Sequence, residues 1–314
     1  MSRNIMMSME PEEEPLWREV LARQIAASDL DLSLLPDGAD PAEVDYLVYN
    51  IDGGIRDFTP FSRLRAILNT WAGVEQIVGK LDWPDGVAFT RMVEPGMTQG
   101  MAEYFTGHAM RYHLDIDRFQ ADSAEARWQK WSPPLTSMRT VGILGLGELG
   151  QATARLLVGL GFNVTGWSRS PKDVPGVNSL HGPDGLAKCL KTAEILVVIL
   201  PLTDATRDIL NAETLSLLPE GACIINAGRG PLIDDDALLA ALASGKVRHA
   251  TLDVFRQEPL PQDHGFWRNP KVTVTPHIAS VTRPETACSA ILEQIARDLD
   301  GKPFLHVVDR ERGY

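Results

Sequence analysis

The sequence predicts an α/β chain of two domains, the larger a doubly wound parallel sheet. At 314 residues it exceeds what one hydrophobic core usually serves, and with 44% hydrophobic residues each half can bury its own. From Thr140 to about Thr275, short β-branched runs alternate with helical patterns, the rhythm of βαβ units around a parallel sheet. The first of these runs leads straight into Gly145-Leu146-Gly147-Glu148-Leu149-Gly150, a glycine-rich turn where a strand hands over to a helix.

Six strands are expected in the larger domain: Val141 to Leu144, Asn163 to Trp167, Ile195 to Leu200, Ala222 to Asn226, Ala250 to Val254 and Val272 to Thr275. Helices fall between several of them, the clearest being Gln151 to Leu160 and Asp234 to Ala243. The second opens on Asp234-Asp235-Asp236, acids that suit a helix N-terminus. Earlier in the chain, Tyr46-Leu47-Val48-Tyr49, Ala66-Ile67-Leu68-Asn69 and Val87-Ala88-Phe89 read as short strands of a smaller α/β domain. A helical segment from about Met101 to Phe119, then a loop with Trp128, Trp131, Pro133 and Pro134, leads into the larger domain. Pro284 to Leu299 carries Ala287, Ile291, Ile295 and Leu299 at helical spacing and is expected to cross back. The expected domains are therefore residues 1–102 with 285–314, and 103–284, joined by two crossover helices with a cleft between the lobes.

A net charge of -12 and a pI near 5.1 argue against neutralising nucleic acid phosphates or anionic lipid. An anionic substrate must then be met by a local cation. Cys189, Cys223 and Cys288 are far apart and without metal spacing, so they read as buried small residues of a protein in a reducing cytosol, and no metal is expected. No stretch approaches a membrane span or a signal segment, so the protein is expected to be soluble and cytoplasmic.

The glycine run has a mechanism behind it. Backbone N–H groups of a tight turn and the N-terminus of the following helix together meet a pyrophosphate. At the end of the second strand, a carboxylate would accept from a free ribose 2′-hydroxyl, whereas an arginine accepts a 2′-phosphate. Here the sequence is Trp167-Ser168-Arg169-Ser170, with no acid, so NADP(H) is the expected cofactor and NAD(H) the lesser one. Lys172 can assist Arg169.

Three further runs supply one arginine, one carboxylate and one imidazole: Asn226-Ala227-Gly228-Arg229-Gly230, Val254-Phe255-Arg256-Gln257-Glu258-Pro259 and Thr275-Pro276-His277. Reducing a 2-keto acid needs a proton donor for the carbonyl oxygen and a fixed cation for the carboxylate. His277 can be the donor, since imidazole titrates near neutral pH. Glu258 can raise its pKa and fix its tautomer. Arg229 can hold the substrate carboxylate and polarise the keto oxygen. All three fall at or just beyond the carboxyl ends of expected strands, where doubly wound sheets bind their ligands.

With these residues in place the chain resembles the D-isomer-specific 2-hydroxyacid dehydrogenases over nearly its whole length. The resemblance is carried by the glycine turn, Leu200-Pro201-Leu202-Thr203 with Thr206, Asn226 to Gly230, Leu252-Asp253-Val254-Phe255 leading to Glu258-Pro259-Leu260-Pro261, Thr275-Pro276-His277-Ile278-Ala279, and the tail Val308 to Tyr314. The tail and Trp167 to Ser170 narrow it to the branch that reduces glyoxylate and hydroxypyruvate. The resemblance implies a Rossmann domain with a smaller flavodoxin-like domain, and Arg229, Glu258 and His277 as the catalytic set. On the cofactor it implies Gly145, Gly147, Glu148, Leu149 and Gly150, then Ser168, Arg169 and Ser170, and Leu200, Pro201, Leu202 and Thr206 along the adenosine side. It places Ala227, Gly228 and Ala279 there too, with Asp253 near the nicotinamide carboxamide. It further implies that Trp71-Ala72-Gly73-Val74 binds the substrate carboxylate through backbone N–H groups, that Met97, Met101 and Tyr104 match a cleft-edge segment, and that the protein is a homodimer built mainly through the nucleotide domain, with Met101 to Trp131 part of the contact. Gly228 stands where a small side chain is more usual, and Asn50 to Arg56 departs from the branch's aromatic-bearing loop. The alternatives are a dehydrogenase for another 2-keto acid, decided by Asn50 to Arg56, and a dinucleotide-sensing protein without turnover, which the complete Arg-Glu-His set disfavours.

Overall fold

The computed structural model describes residues 2–74 and 81–310, which divide into two compact units, Met1–Met97 with Thr282–Tyr314, and Thr98–Val281. The last four tail residues that support the resemblance, Glu311-Arg312-Gly313-Tyr314, lie outside the described residues.

In the first unit, β1 (Arg3–Ser8) is followed by α1 (Glu14–Ala26), β2 (Leu32–Leu34), β3 (Tyr46–Tyr49), β4 (Ala66–Asn69) and β5 (Ala88–Thr90). All pair in parallel in the order β2-β1-β3-β4-β5. Every residue of β3 and β4 is buried, as strands covered on both faces require. The sequence expectation found these two strands and set the third one residue early. It missed β1 and β2, because β1 is built on methionines interrupted by Asn4 and Ser8, and β2 is only Leu32-Ser33-Leu34.

The boundary between the units falls within α2 (Pro95–His113), which is followed by α3 (Ile116–Ala124). The single helix expected from Met101 to Phe119 is thus two. Between them Asp115 takes a left-handed φ of 53°, and its carboxylate accepts from Arg248 Nη1 at 2.6 Å and Trp131 Nε1 at 3.1 Å.

The second unit then runs β6 (Thr140–Leu144), α4 (Glu148–Gly159), β7 (Asn163–Ser168), β8 (Val177–His181), α5 (Gly182–Thr192), β9 (Ile195–Val198), α6 (Ala212–Ser216), β10 (Ala222–Asn226), α7 (Asp235–Ser244), β11 (Val247–Leu252) and β12 (Val272–Val274). The sheet is parallel, in the order β12-β11-β10-β9-β6-β7-β8. It therefore has seven strands and not the six expected. The extra one, β8, is an edge strand with no fully buried residue. β9 stops at Val198, so Leu200 belongs to the loop beyond it.

Alternate residues of the central strands pack into two apolar layers. Ile143, Val197 and Ile225 meet Phe105, Ala154 and Leu157 on one side, while Leu144, Val198 and Ile224 meet Leu190, Leu215 and Leu242 on the other. Cys189 and Cys223 lie in these layers. The chain returns to the first unit with α8 (Pro284–Leu299), bounded as the sequence predicts, whose Ala287, Ile291 and Ile295 pack with Trp17, Val20 and Leu21 of α1. Among the described residues no helix is long and apolar enough to cross a membrane.

Candidate active site

The glycine turn is shaped by contacts that no side chain would survive. Gly145 has φ 113°, and a Cβ there would lie 2.6 Å from the Ile199 carbonyl oxygen. A Cβ on Gly150 would lie 1.8 Å from the carbonyl oxygen of Gly145, so only glycine lets α4 start this close to the turn. Gly147, the N-cap of α4, differs: it is exposed, a Cβ there would meet nothing within 4 Å, and no side chain caps the helix. Gly147 thus leaves the N-terminus of α4, its positive end, with no side chain over it. This fits a pyrophosphate.

At the end of β7, Ser168 is buried and donates its hydroxyl proton to the Ser170 carbonyl at 2.7 Å, bracing the turn. Arg169 and Ser170 are exposed. Beyond β9, Leu200 is buried and Pro201 exposed, and the loop is closed by the Thr206 hydroxyl, which donates to the Pro201 carbonyl and accepts from the Thr203 amide, both at 2.8 Å. Leu202 packs against the core.

Arg229 follows β10 in a turn held by Asn226. The Asn226 side chain accepts from the Gly228 amide and donates to the Arg229 carbonyl, each at 3.1 Å. Arg229 Nη1 donates to the Gly228 carbonyl at 2.8 Å. Ala227 and Gly228 are buried. A Cβ on Gly230 would lie 1.9 Å from the Phe255 carbonyl carbon, so backbone touches backbone where the arginine turn meets the loop after β11. That loop is tied down by Arg256, which donates to the Ile233 carbonyl at 2.5 Å and pairs with Asp208.

Glu258 and His277 form the central pair. Glu258 Oε2 lies 2.7 Å from His277 Nδ1, and Oε1 accepts from the Phe255 amide at 2.8 Å. An ionised carboxylate only accepts, so Nδ1 carries a proton toward it and Nε2 is left for a reacting group. Burial opposes ionisation of Glu258, but the bonds from His277 and the Phe255 amide outweigh it and hold the carboxyl below its ordinary range. The same pairing raises the His277 pKa, against partial burial and the charge of Arg229, with Asp253 adding to the rise. The imidazole is about half exposed, at 55%.

His277 itself takes φ 56°, an uncommon region for a residue with a Cβ. Asp253 holds it there. The Asp253 carbonyl accepts the His277 amide at 2.9 Å, while its buried carboxylate accepts from the Thr275 hydroxyl at 2.6 Å and from the amides of Ile278 and Ala279 at 2.9 Å. Asp253 was picked out from the family likeness alone. Its place as the hub of this loop, like the clamp of Asn226, leaves no mark in the spacing of the sequence.

In the first unit, Trp71, Ala72 and Gly73 are partly exposed and Val74 is buried. The Trp71 carbonyl accepts from the Asn69 side chain and the Met92 amide, both at 2.9 Å, which fixes the start of the loop. Met97 is buried in this unit, whereas Met101 and Tyr104 pack against the core of the second. Asn50 opens a short 3-10 turn, Ile51–Gly53, by accepting from the Asp52 amide.

A family model described as "D-isomer specific 2-hydroxyacid dehydrogenase, NAD binding domain" matches residues 106–279, within the second unit. A glyoxylate/hydroxypyruvate reductase A of Serratia proteamaculans is 40% identical over 259 residues, which cover 80% of this chain and 82% of the relative. A D-isomer specific 2-hydroxyacid dehydrogenase from Xanthobacter autotrophicus Py2, solved with NADPH and MES, superposes with a TM-score of 0.89 at 40% identity over the full length of both chains. An NADPH-dependent glyoxylate/hydroxypyruvate reductase from Sinorhizobium meliloti, solved with NADP and sulfate, gives 0.84 at 32% identity, again over both full lengths. The chain, with a Rossmann domain in its second unit, belongs to the D-isomer-specific 2-hydroxyacid dehydrogenase family.

Proposed function

We propose that this protein reduces glyoxylate and hydroxypyruvate to glycolate and D-glycerate with NADPH, as the names of its relatives in Serratia and Sinorhizobium suggest. The observation that carries the reading is the 2.7 Å pair of Glu258 and His277 in the same unit as Arg229 and the glycine turn. The second unit binds the dinucleotide. The turn from Gly145 to Gly150 and the 200–206 loop would hold NADPH, which when bound would supply a hydride for C2 of the keto acid. Arg229 grips the substrate carboxylate and draws charge onto the keto oxygen. His277 gives its Nε2 proton to that oxygen, and Glu258 stabilises the imidazolium beforehand. The protein acts in the cytoplasm as a homodimer, and the exposed Trp128, Leu135 and Met138 support a contact through the segment around α3.

The direct test follows NADPH and NADH oxidation with glyoxylate, hydroxypyruvate, pyruvate and a branched keto acid in parallel. Fast turnover of the first two with NADPH is expected. Turnover only of the branched acid would move the substrate, and tight cofactor binding with no turnover would point to a sensor. Arg169 supplies a sharper check of the cofactor. A charge-assisted contact to the 2′-phosphate contributes about 2 kcal/mol, so Arg169→Ala should raise the NADPH Kd roughly thirtyfold and leave that of NADH near wild type. Equal effects on the two would remove the contact.

The pH dependence follows from the pair. Because Glu258 raises the His277 pKa, the protonated donor persists above the pH at which an isolated imidazole would lose it, and keto acid reduction should fall only as pH climbs through that raised value. Glu258→Gln removes the anion and should move this alkaline limb to lower pH, with kcat at neutral pH falling on the order of ten- to a hundredfold. A limb that stays in place would detach Glu258 from the titrating group.

A further inference from the structure

We propose that Tyr104 is a positioning residue for His277, acting through a hydroxyl relay that runs from Tyr104 through Thr275 to Asp253. The inference rests on the reading of His277 as proton donor. α2 presents Tyr104, His108 and Tyr112 at four-residue spacing, one face of a helix, and each meets a polar group at β11 or just beyond β12. Tyr104 Oη lies 2.7 Å from Thr275 Oγ1, His108 Nδ1 3.4 Å from Thr251 Oγ1, and Tyr112 Oη 2.6 Å from Thr251 Oγ1 and 3.0 Å from His249 Nδ1. Arg111 adds a bond to Thr273 Oγ1 at 2.9 Å. The helix is thus stitched by polar bonds to the two strands whose carboxyl ends carry Asp253 and His277.

The direction of the relay follows from counting protons. Thr275 has one hydroxyl proton, which goes to Asp253 Oδ1 at 2.6 Å, so Tyr104 must be the donor to Thr275. Without the tyrosine hydroxyl, Thr275 Oγ1 keeps its bond to Asp253 but loses the donor that polarises it and pins the oxygen from the other side, so the bond is weaker and its geometry looser. Asp253 is what holds His277 at φ 56°, by its carbonyl on the His277 amide and its carboxylate on the next two amides. A residue in that backbone region keeps its place only when its surroundings over-determine it. Tyr104 itself bonds neither His277 nor Glu258, so its effect must pass through the loop. The charged groups bearing on the imidazole are Glu258, Asp253 and Arg229. Tyr104 also packs against the ring of His108, tilted at 56° with centroids 4.6 Å apart, and burial lowers the pKa of that imidazole.

The experiment compares Tyr104→Phe with Tyr112→Phe, which breaks the same stitching farther from the site. Each is measured for kcat and KM, for the pH profile, and for the His277 imidazole titration by NMR. Tyr104→Phe should lower kcat about tenfold with the NADPH KM changed by less than about twofold, as expected for a misplaced donor beside an intact cofactor site. Its alkaline limb and its NMR titration should both move to lower pH, because a loosened loop carries the imidazole away from both carboxylates. Tyr112→Phe should lower Tm yet leave limb and titration in place. Thr275→Val, which cuts the relay at its middle, should reproduce the Tyr104→Phe displacement, and Thr275→Ser, which keeps the hydroxyl, should restore the wild-type profile. An unmoved titration in both Tyr104→Phe and Thr275→Val, or an equal displacement in Tyr112→Phe, would overturn the relay. A displaced titration with kcat unchanged would uphold the relay and instead remove His277 from the chemistry.

Discussion

His277→Ala should lower kcat for keto acid reduction about a thousandfold while leaving NADPH affinity near wild type, since a placed general acid contributes roughly a hundred- to ten-thousandfold. The size follows from geometry. Nδ1 is committed to Glu258 at 2.7 Å, so the ring has a fixed orientation and a single nitrogen free to deliver a proton. Alanine removes the donor, and among the described residues leaves Glu258 hydrogen-bonded to the Phe255 amide, a carboxylate with one fewer partner and no proton to give. The residual rate should also lose its alkaline limb, because the titrating group is gone. A variant that kept wild-type kcat across neutral pH would exclude His277 as the acid, whatever the integrity of its neighbours.

Arg229→Ala should be as severe, with kcat/KM down on the order of a thousandfold, because the guanidinium is asked both to bind the carboxylate and to stabilise charge developing on the keto oxygen. With the chain at net charge -12, no general field attracts the anion once this cation is removed. Arg229→Lys restores a charge but not the planar fork, and should recover only a small part of the loss. Saturation kinetics would separate the two roles: a rise in KM reads the carboxylate contact, a fall in kcat reads the oxyanion. An alanine variant with both constants intact would take Arg229 out of the site.

The sequence announces these side chains far better than it announces what holds them. β3, β4 and β10 are visible because apolar runs buried on both faces need no alternation, and α8 is visible because Pro284 and a clean helical stripe mark it. The start of α2 is hidden by Gly96 and Gly100, which read as loop, and its end by Asp115, whose left-handed φ accompanies side-chain bonds from the distant Arg248 and Trp131. β8 sits on an edge and buries no residue fully, so its pattern carries no strand signal. At the site, Arg229, Glu258 and His277 stand out because their chemistry is recognisable and each follows a strand. Asn226 and Thr275 enter only as members of those runs and Tyr104 only through the family likeness, with no role legible for any of them, since their work is hydrogen bonding in three dimensions. Tyr104 and Thr275 are 171 positions apart, and no local period links them.

The glycines of this protein answer to two different masters. Gly150 and Gly230 face their own backbone at 1.8 and 1.9 Å, so a side chain at either would be rejected during folding, before any nucleotide arrived. Gly147 faces nothing within 4 Å. A chain that lost it would still fold, and the loss would register only when a ligand tried to settle on the bare helix end. Drift at the first two positions is policed by the cell's quality control, and drift at the third only by metabolism, so a lineage that no longer needed the reaction would shed Gly147 long before it shed Gly150.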